Sequence, residues 1–203
     1  ITPAGVVTSL AGNGAGTFAD GTGTSASFNQ PRGVALGSDG TVYVADTTNS
    51  RIRRITPAGV VTTVAGSSDG NNNGTGTNAR FTTPNAITVD SSDIMYVADT
   101  GTHRIRKITQ ANVVTTVSGT TQGFADGAGT SARFDTPRGI AADIYGNIYV
   151  ADTNNHRIRR IVSDGTVTTF AGSTAGFADG IGTNAKFNFP THLFINALGT
   201  LYV

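Results

Sequence analysis

A 53-residue period runs through this chain and limits its fold more than any other feature. Asp46, Asp99 and Asp152 stand 53 residues apart, as do Phe28, Phe81, Phe134 and Phe187. Pro31, Pro84, Pro137 and Pro190 keep the same step, and so do Gly66, Gly119 and Gly172. The first interval, Gly12 to Gly66, carries one extra residue, placed before Phe18. A fixed period of this length marks a repeat architecture, in which neighbouring units bury each other's faces.

One unit reads as four short strands. The apolar runs of residues 31–66 predict strands over 33–36, 41–45, 51–56 and 60–65. Ser38-Asp39-Gly40, Asp46 to Ser50 and Pro57-Ala58-Gly59 separate them with turn residues. Such short links force an antiparallel meander, and the Gly/Asn/Thr-rich stretch after Gly66 carries the chain to the next one. Val42 to Ala45 are apolar on both faces, as expected of strands sandwiched between neighbours. Stacking the meanders around an axis buries both faces and leaves only short edges. No segment shows a helix-length 3.6-residue period. The reading is therefore all-β: a β-propeller of four-stranded antiparallel blades, about four present, as part of a larger ring.

The phase places a partial blade at 1–12, complete blades at 31–66, 84–119 and 137–172, and an incomplete blade at 190–203. Residues 1–12 match a fourth strand, and the last blade has two strands and no VADT…RIRR segment. The expectation is a piece of a longer propeller, or copies that complete each other's ring.

Composition narrows the function classes. Charged residues make up 13% of the chain, against about 25% in typical domains, and the net charge of +1 leaves no basic footprint for nucleic acid. The absence of Cys excludes disulfides, thiolate catalysis and Cys-based zinc sites. No stretch approaches a membrane span.

VADTTNSRIRR (44–54), VADTGTHRIRK (97–107) and VADTNNHRIRR (150–160) resemble the signature of the NHL repeat, as do PRGVAL (31–36) and PRGIAA (137–142). The Phe-Ala-Asp-Gly stretches at 18–21, 124–127 and 177–180 look like linkers of bacterial NHL propellers. The resemblance covers essentially the whole chain. It implies a six-bladed or larger ring, with blades whose first strand lines a central channel and whose fourth lies at the rim. It implies no single function, because one fold hosts many activities.

Each candidate residue has a structural and a functional reading. Asp46, Asp99 and Asp152 recur with Arg53, Arg106 and Arg159. A residue repeated in every blade serves the blade, so turn and inter-blade roles are expected over acid/base chemistry. Phe28, Phe81, Phe134 and Phe187 are expected as plugs between blades. His103 and His156 share one register, where the first unit has Ser50, and His192 sits elsewhere. Similar propellers among peptide-amidating lyases hold zinc through histidines, yet no ligand spacing is visible here, so no metal or cofactor is expected. Asp20, Asp126 and Asp179, with Asn73 in the odd unit, suit Asx turns better than a calcium loop. Arg32, Asn85, Arg138 and Thr191 share a register at the start of the innermost strands, and His192 and Phe189 flank it. Arg32, Asn85, Arg138, His192 and Phe189 are thus the candidate ligand contacts at the channel mouth.

The first functional reading is a non-catalytic binding or scaffold module that takes a protein, a glycan or another copy of itself on the propeller face, extracellular or at the cell surface. A metal-dependent lyase or hydrolase at the channel mouth is the second. An RNA-binding propeller is the third, with nucleic acid disfavoured by the charge.

Overall fold

The computed structural model describes residues 1–203, and its regular elements are strands and single 3₁₀ turns. Blade 1 contains β1 (Gly21–Thr22), β2 (Pro31–Leu36), β3 (Val42–Asp46), β4 (Arg51–Ile55) and β5 (Val60–Ala65). Blade 2 contains β6 (Gly74–Thr75), β7 (Pro84–Val89), β8 (Met95–Asp99), β9 (Arg104–Ile108) and β10 (Val113–Ser118). Blade 3 contains β11 (Gly127–Ala128), β12 (Pro137–Ala142), β13 (Ile148–Asp152), β14 (Arg157–Ile161) and β15 (Thr166–Gly172). A last hairpin pairs β16 (Phe194–Ile195) with β17 (Leu201–Tyr202).

Each blade is the antiparallel meander expected, with one addition. The sheet order β1-β5-β4-β3-β2 repeats as β6-β10-β9-β8-β7 and β11-β15-β14-β13-β12. The extra strand is two residues of the preceding linker. Gly21 lies opposite Val61, Gly74 opposite Val114 and Gly127 opposite Val167. Each linker therefore covers the rim of the blade it leads into, which protects an otherwise open edge.

Residues 1–12 differ from the expected fourth strand. The turn forms, since the Thr2 amide donates to the Val6 carbonyl (3.0 Å) just as Thr56 donates to Val60 (3.0 Å). No strand follows it. Its counterparts β5, β10 and β15 each pair with a third strand, and these residues have none to pair with.

The core lies between blades. Ala45, Ile52 and Val64 on blade 1 meet Phe81, Val97 and Ile108 on blade 2. Ala98 and Ile105 meet Phe134, Val150 and Ile161 in the same way, and Ala151 and Ile158 meet Phe187, Leu193 and Leu201. The innermost strands β2, β7, β12 and β16 share a concave wall that includes Val34, Ile87, Ile140 and Phe194. Gly33 lets β2 approach β7 closely, because a Cβ there would overlap the backbone of Asn85 and Ala86.

The Phe134 side chain is fully buried, whereas Phe187 is half-buried against the last hairpin. Phe134→Ala is expected to cost about 3–5 kcal/mol, and Phe187→Ala clearly less. Denaturant unfolding of the two variants checks the order, and equal losses would contradict an inter-blade core.

Candidate functional site

The repeated Asp and Arg residues are consumed inside the blades. Arg53 donates from Nη1 to Asp46 Oδ2 (2.7 Å) and the Ser27 carbonyl (3.2 Å), and from Nη2 to the Ala19 carbonyl (2.7 Å) and Asp20 Oδ1 (2.6 Å). Arg159 repeats this with Asp152 (2.7 Å), Arg133 (3.0 Å), Ala125 (2.7 Å) and Asp126 (2.5 Å). Arg106 uses Asp99 (3.0 Å), Arg80 (3.0 Å), Asn72 (2.9 Å) and Asn73 (3.0 Å). All three guanidinium groups, and their Asp46, Asp99 and Asp152 partners, are fully buried. They are closed to substrate and to nucleic acid phosphates alike. Aromatic rings flank each cation, Phe28 at 5.0 Å, Phe81 at 5.2 Å and Phe134 at 5.2 Å.

Burial is the largest influence on the Asp99 carboxyl and pushes it up, to about 6, against the pull of Thr102, the Thr82 amide and Arg106. Asp152 is pushed up for the same reason. Asp20 and Asp126 each accept from the buried arginine of their blade.

The junctions between blades end on the face where the innermost strands start. After each second strand comes a 3₁₀ turn, Thr47–Asn49, Thr100–Thr102 or Thr153–Asn155. Its first residue donates a hydroxyl to the next blade: Thr47 to the Pro84 carbonyl (2.8 Å), Thr100 to Pro137 (2.5 Å) and Thr153 to Pro190 (2.7 Å). These threonines were not singled out from sequence, although their 53-residue step was visible. The turn closes on a left-handed residue, Ser50 (φ 53°), His103 (57°) or His156 (56°).

The left-handed residue decides what each junction becomes. His103 Nδ1 accepts the Thr136 amide of blade 3 (3.1 Å). His156 Nδ1 accepts the Phe189 amide (3.2 Å), and the two rings meet edge to face at 4.6 Å. Both histidines are thus latches between units, and Phe189 belongs to a latch. Ser50 is shorter and donates instead to Asp69. A cleft lined by Gln30, Arg32, Thr47, Thr48, Asp69 and Thr83 lies at this first junction.

The expected channel-mouth set divides. Arg32, Arg138 and His192 are exposed, as is Thr191. Asn85 is buried at 8% exposure, unlike Arg32, Arg138 and Thr191 at the same register. No three His, Asp or Glu side chains lie close enough to hold a metal ion. The mouth positions supply one imidazole and no carboxylate, a donor set that does not fit zinc or calcium.

Comparisons with known proteins agree with this geometry. The NHL repeat model matches residues 28–55, and the SMP-30/gluconolactonase/LRE-like region matches residues 67–171. NHL repeat-containing protein 2 of Bos taurus is 33% identical over 151 residues, which cover 66% of this chain and 21% of that protein. Human teneurin-4 is 26% identical over 218 residues, covering 89% of this chain and 8% of that protein. The chain thus spans about a fifth or less of the length of these curated relatives. Among solved structures, an auxiliary nutrient binding protein of Bacteroides ovatus superposes with a TM-score of 0.66 at 21% identity, over 84% of this chain and 44% of its own. Virginiamycin B lyase of Staphylococcus aureus superposes at 0.58 and 16% identity, over 84% and 47%. These two likenesses concern the fold. No helix here is long and apolar enough to cross a membrane.

Two predictions follow from the buried charges and latches. Asp99→Ala removes the one carboxylate that pairs with the buried Arg106 guanidinium and is expected to cost about 3–5 kcal/mol, read by denaturant unfolding. A loss below 1 kcal/mol would mean that water reaches the arginine. Burial holds the His103 imidazole below its usual 6.5. Its folded form therefore binds protons less readily than the unfolded chain, so its stabilising contribution is complete above pH 6.5. That contribution is lost as pH falls through the lowered folded value. NMR titration should place His103 below 6.5, and His103→Asn should melt with a smaller drop between pH 7.5 and 5.5 than the parent.

Proposed function

The chain belongs to the NHL-repeat, SMP-30/gluconolactonase-like family of β-propellers, and from that premise we propose that it is a non-catalytic binding module presenting the strand-start face to a protein or glycan ligand. One observation carries this reading. The charged residues common to the blades are neutralised internally, while the strand-start face carries residues that differ between units, Ser50 against His103 and His156 and Asn85 against Arg32 and Arg138. The cleft at the first junction combines hydroxyls of Thr47, Thr48 and Thr83 with the Arg32 guanidinium, the Asp69 carboxylate and the Gln30 carboxamide. Such a set offers donors and acceptors of the kind a hydroxyl-rich ligand pairs with.

A second copy is one candidate protein ligand. On the side of blade 1 away from blade 2, Val44 and Ile55 are buried with Ala11 and Phe28 packed against them, and the exposed Val34 lines the small apolar pocket that remains there. An extracellular or cell-surface setting goes with this reading and draws on the low charge and the abundance of Thr and Asn.

A glycan array probed with the labelled chain tests the proposal. Arg32→Ala and Asp69→Ala are each expected to weaken a hit at least about tenfold, or about 1.4 kcal/mol. Hits that both variants retain would place the ligand elsewhere. Light scattering of the same samples detects self-association. The second reading, a metal-dependent lyase or hydrolase, draws on the family match over residues 67–171. Stoichiometric zinc or calcium in the purified chain, with turnover that chelation abolishes, would favour it over a binding module.

A further inference from the structure

Two turns of blade 2 break a glycine rule that the other units keep. The turn between the first two strands of a unit closes on a left-handed glycine at Gly40 (φ 81°), Gly146 (82°) and Gly199 (81°). The turn between the last two does so at Gly59 (77°) and Gly165 (84°). In blade 2 these places hold Asp93 (55°) and Asn112 (59°), in the same left-handed region. That region favours glycine, and a side chain held in it points to a use for that side chain.

Asp93 and Asn112 line one cavity between blades 1 and 2, at the end of the blades opposite the strand-start face. Asp39, Tyr43 and Arg54 of blade 1 and Gln110 of blade 2 complete its polar wall, over buried Val64 and Met95. Asp93 accepts the Ser38 amide (2.9 Å) and hydroxyl (2.5 Å), and Asp39 accepts the Thr41 amide (2.8 Å) and hydroxyl (3.0 Å). Each carboxylate oxygen keeps a lone pair to offer. Arg54 Nε donates to Thr62 Oγ1 (2.9 Å) and Gln110 Nε2 to the Ser92 carbonyl (3.0 Å). The terminal Arg54 nitrogens, the Tyr43 hydroxyl and the Asn112 carboxamide are left unpaired. Burial, then the Asp39 and Asp93 charges, push the Tyr43 hydroxyl up, so it stays a donor. At the junction of blades 2 and 3 the same polar registers hold Ser92, Tyr96, Lys107, Gly146, Ser163 and Gly165, with no carboxylate and no carboxamide.

We propose that this cavity is a second binding site, on the face opposite the strand starts, and that it takes one ring of a neutral saccharide. Arg54 opposes a bare cation there and the two carboxylates oppose an anion, so a neutral ligand is favoured. Sugar hydroxyls both donate and accept, which matches acceptor-only carboxylates beside a donor-only guanidinium and a carboxamide that does both. The Tyr43 ring is the apolar surface available to the C–H face of the sugar. The cavity holds about 240 Å³, below the about 300–1,000 Å³ of sites for drug-sized ligands, which suits a single ring.

NMR titration of the chain with the methyl glycosides of glucose, galactose and mannose tests this. Saturable amide shifts at Asp39, Asp93 and Asn112 are expected with at least one of them. Asn112→Gly restores the residue of the other units, and Tyr43→Phe removes a hydroxyl that has no partner. Both variants should therefore keep the parent's melting temperature, and each should weaken binding about three- to tenfold. Arg32→Ala and Asp69→Ala, on the other face, should leave this binding unchanged, which separates it from the face proposed above. A trisaccharide that binds more tightly than its methyl glycoside identifies the end of a glycan as the ligand, and equal affinity identifies a free sugar. Absence of saturable shifts with all three glycosides overturns the proposal, as does binding that Asn112→Gly and Tyr43→Phe both leave intact.

Discussion

Burying a guanidinium inside an all-β core is costly unless the charge and its donors find partners. The middle arginine of each third strand meets that condition by drawing together three segments distant in sequence. Arg53 takes a carboxylate from the end of its own second strand and two carbonyls and a second carboxylate from the linker before the blade. The linker has few apolar residues with which to pack. Held at the arginine, it runs along the rim and adds Gly21–Thr22 to β5. Asp46 completes the arrangement by accepting the Asn29 amide (2.8 Å), which fixes the chain just before the innermost strand starts. One ion pair thus sets the rim, the linker and the inner strand.

Blade 2 shows what the arrangement tolerates. Asn73 stands where the other linkers have Asp, so Arg106 keeps one carboxylate instead of two, and Asn71 replaces the ring that Phe18 and Phe124 lay over their arginines. The carbonyl contacts survive, because the backbone supplies them whatever the side chain. Arg106 stays fully buried. Two linker carbonyls and the Asn73 carboxamide oxygen hold the linker to Arg106 without the second carboxylate or the second ring.

The 53-residue step and the turn residues made the meanders and their stacking legible, because hydrophobic period and turn chemistry act locally. The structural role of Asp46, Asp99 and Asp152 was legible for the same reason. The rim strands were not. Gly21–Thr22 and Gly74–Thr75 carry no hydrophobic signal and pair only because an arginine far along the chain holds their linkers. The burial of Asn85 was also hidden. Register places it with Arg32, Arg138 and Thr191, all exposed, and burial at one register depends on the neighbouring blades rather than on the residue's own pattern. The histidine latches needed the left-handed backbone at 103 and 156 to aim each ring at the next unit, and a sequence does not show that direction.

A latch and an open polar cleft are alternatives at one position. Where the left-handed residue is histidine, the imidazole spans the junction and is satisfied by an amide of the next unit. Where it is serine, the hydroxyl turns to Asp69, and Arg32, Thr48 and Thr83 line an open cleft. Thr47 still ties the blades together through the Pro84 carbonyl (2.8 Å), so the junction holds without the ring. The threonine tie, present at all three junctions, makes the imidazole dispensable for stacking. That freedom lets one side chain choose between rigidity and a polar surface, and a repeat of near-identical blades can acquire a distinct face without altering its core.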